Sequence, residues 1–202
     1  MKYRDPLRLW HSWNVDRMHA AGISVRHRAH QGALHQKSTV LRGQAITVFG
    51  SSNWTTASAL SQLEHNIFTS SALFYSFFTS QFERKWANLT GNAETTAFVP
   101  LAPDRPSKPS PAIGATGQPT SVTLKWYAGK WAHRYDLYLG TDPNAMTRVL
   151  ANADKGPSET TSQLKTHAVT GLSSGRTYYW KVVSRTMANQ TATSPVWTFR
   201  TR

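Results

Sequence analysis

The pattern of apolar and polar positions changes near the middle of the chain. Before residue 100, helical and alternating stretches take turns. Residues 15–22 carry helical spacing and stop at a glycine, which predicts a short helix. Residues 23–28 alternate and predict a strand with Val25 facing a core. Residues 35–41 and 46–49 predict the next two strands, joined through Arg42, Gly43 and Gln44. The longest helix is predicted over 70–89. There Leu73, Phe74, Phe77, Phe78, Phe82, Trp86 and Leu89 recur at three- and four-residue intervals and form one broad apolar face, expected to be core.

The second part is different in texture. Residues 121–126, 134–139, 178–183 and 195–201 predict short strands, separated by turn signals at 140–144 and 173–175. Strands at this spacing, with no helical period between them, predict a β-sandwich. Residues 100–111 hold five prolines in twelve positions. Proline fixes φ and removes a donor, so this stretch predicts a semi-rigid connector. The expected organisation is a first domain over 1–99, a linker over 100–111 and a second domain over 112–202.

Composition narrows the class. The 202 residues are 39% hydrophobic with eight Trp, enough for real cores, which excludes a wholly disordered chain. No stretch approaches eighteen apolar residues, which excludes a membrane-spanning helix. The chain has no cysteine, which excludes disulfides, thiolate nucleophiles and cysteine zinc sites, and suits an exported protein. The first ten residues lack the apolar stretch of a signal peptide, and the chain is expected to open inside a domain. The formal charge is +13, split as +5 up to Arg105 and +8 beyond it. Such a field attracts nucleic acid, anionic lipid surfaces or phosphate esters. It sets a partner class and no mechanism.

The chemistry sits in the first part. His35 and Lys37 are two apart, and Gly50-Ser51-Ser52-Asn53 follows at the end of the next predicted strand, with Glu64 eleven residues later. On neighbouring strands, His35, Lys37, Ser51 and Asn53 would share a face by parity. An imidazole, an ammonium, a hydroxyl and an amide together suit a tetrahedral phosphate: one point charge and several neutral donors. Glu64 could accept from one ring nitrogen of His35, fixing the tautomer and leaving the other nitrogen as nucleophile or acid. His27 and His30 lack metal-ligand spacing and are expected at the surface or a rim, and His65 could neighbour the site, though its strand parity opposes Glu64. His133 and His167 are expected to be incidental, and Trp54 core.

His35-Gln36-Lys37, Gly50-Ser51-Ser52-Asn53 and Glu64 together resemble the phospholipase D-like superfamily, over about residues 15–90. The resemblance implies a partial α-β-α sandwich and a phosphodiesterase needing no metal or other cofactor. It gives His35 the role of nucleophile or acid, Lys37 and Asn53 the phosphate oxygens, Ser51 an assisting role, and Glu64 the orientation of His35. Two positions depart from that family's pattern. Arg42 stands where it has an aspartate, and the path to Gly50 is one residue longer. The family builds its site from two motif copies, because one imidazole attacks while another protonates the leaving oxygen. This chain has one. The expected completion is a second copy of the chain or a missing N-terminal half.

In the second part, Leu172, Gly175 and Tyr178 with Trp126 resemble the fibronectin type III domain, which implies an all-β sandwich with a tyrosine corner at Tyr178 and with Tyr135, Leu137 and Leu139 inward. The fold class expected is therefore α/β followed by an all-β sandwich. The function expected is hydrolysis of a phosphodiester in phospholipid or nucleic acid by an extracellular or periplasmic protein. The competing reading is an exported, non-catalytic binding or adhesion protein.

Overall fold

A computed structural model of the chain describes residues 9–28, 35–53, 55–87, 95–155 and 164–202. The chain divides into two compact units: Arg26–Phe98, and the chain up to Val25 together with Val99–Arg202.

Helix α1 spans Leu9–Ala20, starting six residues before the predicted position. Its end is chemically determined. Gly22 has φ of +75°, Gly22 N donates to His19 O and Ile23 N to Met18 O, both at 3.0 Å. That is a Schellman stop, which needs a residue without Cβ at the left-handed position. His19 and Arg17 in the last turn complement the helix dipole.

In the Arg26–Phe98 unit, β1 (Arg26–Arg28) pairs antiparallel with β5 (Thr95–Ala97). The strand predicted from residue 23 is thus confined to three residues, and Val25 is only half-buried. A second sheet has the order β2 (Ser38–Leu41), β3 (Ile46–Gly50), β4 (Asn66–Thr69), all antiparallel. A 3₁₀ turn at Arg42–Gln44 and Ala45 in the left-handed region (φ 53°) join β2 to β3 and absorb the extra residue of that connection. Helix α2 (Thr56–Leu60) lies between β3 and β4, and α3 spans Ala72–Ala87. Phe49 of β3 meets Phe74 and Phe78 of α3 at ring-centroid distances of 5.2 and 4.7 Å, so α3 covers one face of the sheet. On the other face Thr39, Val48 and Phe68 line up across the strands. The aromatic face of α3 is not the enclosed core expected of it: Leu73, Phe77 and Phe82 are exposed, and no residue of α3 is fully buried. A three-stranded sheet is too narrow to cover so wide a stripe. Leu89 and Trp54 lie outside the described residues.

The second unit is a sandwich. Strands β6 (Ser107–Ser110), β8 (Val122–Tyr127) and β11 (Leu164–Val169) form one sheet in the order β11-β8-β6. The other sheet runs β10 (Thr147–Asp154), β9 (Arg134–Gly140), β12 (Thr177–Arg185), β14 (Trp197–Thr201), β7 (Ala115–Gln118), with β13 (Thr191–Thr193) also on β12. Alternation places Leu124, Trp126, Tyr135, Leu137, Leu139, Tyr178, Trp180, Val182, Trp197 and Phe199 in one core. Burying each large apolar side chain stabilises by about 1.5–3 kcal/mol. Trp180 meets Trp197 edge-on at 4.7 Å, and Trp126 meets Tyr135 at 5.8 Å. Burial pushes the Tyr135 phenol well above its ordinary range. The Tyr178 hydroxyl accepts a 2.8 Å bond from Ser173 N, closing the corner between strands.

The proline-rich stretch is not simply a linker. Pro103, Pro106 and Pro111 are buried, and β6 pairs with β8 as an edge strand, where a missing N–H is tolerated. Gly129 is required there, because a Cβ would overlap the Asp104 carbonyl.

Candidate functional site

The candidate residues gather at the end of the β2-β3-β4 sheet. His35 and Lys37 precede β2, so the strand predicted to hold both does not begin until Ser38. Lys37 nevertheless keeps register: its carbonyl accepts from Gly50 N at 3.3 Å, one step beyond the Ser38–Phe49 pair. Its ammonium lies 2.9 Å from His35 Nδ1 and 2.9 Å from the His35 carbonyl oxygen. An ammonium only donates, so Nδ1 of His35 is the acceptor, and a neutral His35 carries its proton on Nε2.

Gly50 sits against β4. A Cβ there would overlap the His65 carbonyl and stand 2.8 Å from Asn66 Cα. This close approach lets Ser51 N donate to His65 O at 3.0 Å and His65 N donate to Ser51 Oγ at 3.1 Å. Ser51 Oγ in turn donates to Glu64 Oε2 at 2.5 Å. Parity counted from the Lys37–Gly50 step turns Ser51 to the opposite side, which corrects the expected sharing of a face with Lys37. Ser52 takes the place at the concavity instead and accepts from Asn66 Nδ2 at 2.7 Å.

Glu64 is held by two hydroxyls, with Ser58 Oγ 2.7 Å from Oε1. Ser58 also accepts from Asn53 N at 3.1 Å, tying the loop after β3 to the carboxylate. Ser58 sits in α2, which Thr55 caps by accepting from Ser58 N at 3.3 Å. Hydrogen bonds from Ser51 and then Ser58 hold the Glu64 carboxyl below its ordinary range, with smaller contributions from the Lys37 and His65 charges. The expected contact of Glu64 with His35 is therefore replaced: the carboxylate is taken by serines, and His35 by Lys37.

Of the candidate residues, Lys37 and Asn53 line an open concavity of about 630 Å³ on the sheet face away from α3, and His35, Ser51 and Glu64 are not among its lining residues. Lys37, Ser52, Asn53 and Asn66 supply its polar rim, and Val48 and Phe68 its floor. Glu64 borders an adjoining hollow with Ser52, Asn53 and Asn66. Ser52, Ser58 and Asn66 were not singled out by sequence. The spacing of Glu64 and Asn66, on a stretch pairing back to Gly50, was the available signal for Asn66. Arg42, in the position where an aspartate was expected, pairs with Glu83 of α3. Both are more than half exposed, so the pair adds little. His27 packs on Phe98 at 5.2 Å, and burial lowers its pKa. His30 lies outside the described residues. Among the described residues no three His, Asp or Glu side chains gather as metal ligands do, and no helix is long and apolar enough to cross a membrane.

Residues 6–86 match the family described as cardiolipin synthase, PLD-like domain. This stretch is PLD-like. Mitochondrial cardiolipin hydrolase of Xenopus laevis is 32% identical over 69 residues, covering 34% of this chain and 32% of the frog protein. The Homo sapiens protein of the same name is 29% identical over 107 residues, covering 53% of this chain and 40% of the human protein. The matched segments thus span 32% and 40% of the length of those relatives. Among solved structures, a Fn3-like protein from Clostridium thermocellum aligns with a TM-score of 0.38 and 19% identity, covering 50% of this chain and 96% of that one. The PLD-like stretch contains all five candidate residues, His35, Lys37, Ser51, Asn53 and Glu64.

Proposed function

We propose that the PLD-like stretch is one half of a phosphodiesterase site. The observation that carries this reading is that Lys37 and Asn53, brought from separate loops, border one concavity with the His35 imidazole beside the Lys37 ammonium. Lys37 and Asn53 hold the phosphate oxygens of a phospholipid or nucleic-acid phosphodiester, with Ser52 and Asn66 as further donors.

His35 acts at phosphorus. In the arrangement described, Nδ1 accepts from Lys37, so the proton sits on Nε2 and no free lone pair faces outward. A bound phosphate competes for the Lys37 ammonium, releases Nδ1 to take the proton and frees Nε2 to attack. The attack forms a phosphorus–nitrogen bond to His35 and breaks the bond to the leaving alkoxide, which takes a proton from a second imidazole. Water then hydrolyses the phosphohistidine. The second imidazole comes from outside the His35 motif, and a second copy of the chain is the source we favour. The sheet face that carries Thr39, Val48 and Phe68, with Leu60 at its rim, is where that copy docks. Glu64 acts through Ser51 and Ser58 as a positioning residue. The fused sandwich and the cysteine-free composition fit an exported protein.

The non-catalytic reading has one observation in its favour: Glu64 is engaged by serines rather than by His35. Hydrolysis of bis-p-nitrophenyl phosphate in excess EDTA separates the two. The half-site reading expects turnover that falls faster than linearly on dilution and drops at least ~10³-fold in His35→Asn. Turnover that survives His35→Asn, or none at any concentration, overturns it.

A further inference from the structure

The outer face of the β10-β9-β12-β14 sheet carries a second feature, in the other unit and separate from the site above. Strand β12 alternates without interruption. Tyr178, Trp180, Val182 and Ser184 are buried, which leaves Thr177, Tyr179, Lys181, Val183 and Arg185 on the outer side. Register then fixes their neighbours. Arg148 of β10 stands opposite Tyr138 of β9, and Tyr138 opposite Lys181 of β12. Tyr179 lies two residues along from Lys181, with Gly140 on one flank and Thr198 on the other, and Arg200 of β14 stands opposite Thr177 in the next row. Along this diagonal cations and rings alternate: Arg148, Tyr138, Lys181, Tyr179, Arg200. The path crosses three inter-strand spacings, about 14 Å. Both tyrosines are half-buried, so their rings are anchored yet reachable, and Arg148 and Arg200 are exposed. The Lys181 ammonium lies 5.3 Å from the Tyr138 ring centre.

Among the described residues, the carboxylates of this face pair with Arg148 and Arg185 and with neither Lys181 nor Arg200. Asp136 is buried beneath it, accepting from Asn152 N at 2.7 Å and Arg185 Nη2 at 3.0 Å, with Arg148 Nη1 at 3.9 Å. Asp154 lies at the far corner, opposite Arg134. A surface built only for solubility intersperses both signs. Here positive charge and aromatic rings interleave.

We infer that this sheet face binds single-stranded nucleic acid, with bases stacking on Tyr138 and Tyr179 and phosphates held by Arg148, Lys181 and Arg200. The alternation matches what an unpaired strand offers, since every nucleotide brings one anion and one π-face. A duplex hides its bases from a flat sheet. An anionic bilayer surface offers charge but no π-faces for the two rings, and the diagonal has no protruding apolar side chain to enter it. The inference rests on this unit alone and is independent of any activity at His35.

Fluorescence anisotropy of labelled oligothymidylate, titrated with the whole chain in a His35→Asn background to prevent cleavage, tests it. Tyr138→Ala and Tyr179→Ala are each expected to weaken binding about tenfold, while Tyr138→Phe and Tyr179→Phe bind like the parent. Lys181→Gln and Arg200→Gln, at positions the fold does not need, should each reduce the log–log salt slope by roughly 0.7. A duplex of the same length should bind more weakly, and vesicles of phosphatidylcholine with phosphatidylserine should not compete. Alanine variants that bind like the parent, an unchanged salt slope, a duplex bound as tightly, or displacement by the vesicles would each overturn the assignment.

Discussion

Gly50→Ala is the sharpest test of how the candidate site is held. A Cβ at Gly50 would overlap the His65 carbonyl and lie 2.8 Å from Asn66 Cα. Carbon atoms in contact prefer about 3.5–4.0 Å, so the start of β4 must retreat by most of an ångström. Both obstacles are backbone, and neither can rotate away. Retreat breaks the bonds Ser51 N to His65 O and His65 N to Ser51 Oγ, at 3.0 and 3.1 Å. Overpacking costs about 1–3 kcal/mol, and each lost bond about 1 more. A total of about 3–5 kcal/mol corresponds to a fall of more than about 10 °C in Tm for a unit of this size. Gly43→Ala is the matched control. Its Cβ meets nothing within 4 Å and its φ is not in the left-handed region, so it should be neutral or slightly stabilising. The assay is thermal unfolding of both variants, with hydrogen exchange at the Ser51 amide as a local readout. If Gly50→Ala melts with Gly43→Ala and the Ser51 amide stays protected, β4 does not press on Gly50 and the geometry given for Glu64 is wrong.

Three further outcomes follow from the same structure. Glu64 should stay ionised below the ordinary glutamate range, because Ser51 and Ser58 stabilise its charged form. The stability this contributes is full above the ordinary value and lost as pH falls through the lowered one; in Ser58→Ala the carboxyl pKa followed by NMR should rise toward normal. His27 is held neutral by burial, so the unfolded chain takes up a proton first on acidification. Stability of the Arg26–Phe98 unit should therefore decline as pH falls from about 6.5, and His27→Phe, which keeps the contact with Phe98, should flatten that decline in melting curves. Tyr178→Phe leaves Ser173 N without its hydroxyl acceptor and should cost about 1–2 kcal/mol in denaturant titrations, with the core otherwise unchanged.

The strands easiest to read were those with unbroken alternation. On β8, β9, β12 and β14 the alternation was legible in the pattern, and the fibronectin-like resemblance implied Trp126, Tyr135, Leu137 and Tyr178 as inward, where they lie. Strand β10 was illegible because its register shifts between Arg148 and Leu150, and again between Leu150 and Ala153, around Asn152 at φ 45°. Strand β6 hid beneath its prolines, since no propensity rule places Ser107–Ser110 on a sheet edge. In the site, spacing alone suggested that Lys37 and Asn53 meet. The direction of Ser51 depended on the register across the turn, which spacing does not give: Lys37 stands opposite Gly50, so positions 50 and 52, not 51, share its face. The ladder actually begins at Ser38, with Lys37 one step beyond it. The partner of Glu64 depended on Ser58, whose position comes from the cap of α2 and has no long-range sequence signal.

Magnitudes decide how tightly a second copy could complete the site. Leu60, Leu63 and Phe68 flank the concavity and the adjoining hollow at 81%, 99% and 74% exposure. Burying all three on each of two copies yields about 9–18 kcal/mol at the usual values. Association costs an estimated 4–15 kcal/mol in lost translational and rotational freedom, and ordering the six side chains about 3–9 more. These side chains alone therefore leave little surplus to hold two copies together at low concentration. A phosphodiester held by Lys37 of one copy and protonated by the imidazole of the other adds contacts that exist only when both copies are present. Substrate should then promote pairing, and the concentration at which turnover becomes linear in protein should fall as substrate is raised. A chain that paired fully without substrate would need an apolar interface larger than these three side chains provide.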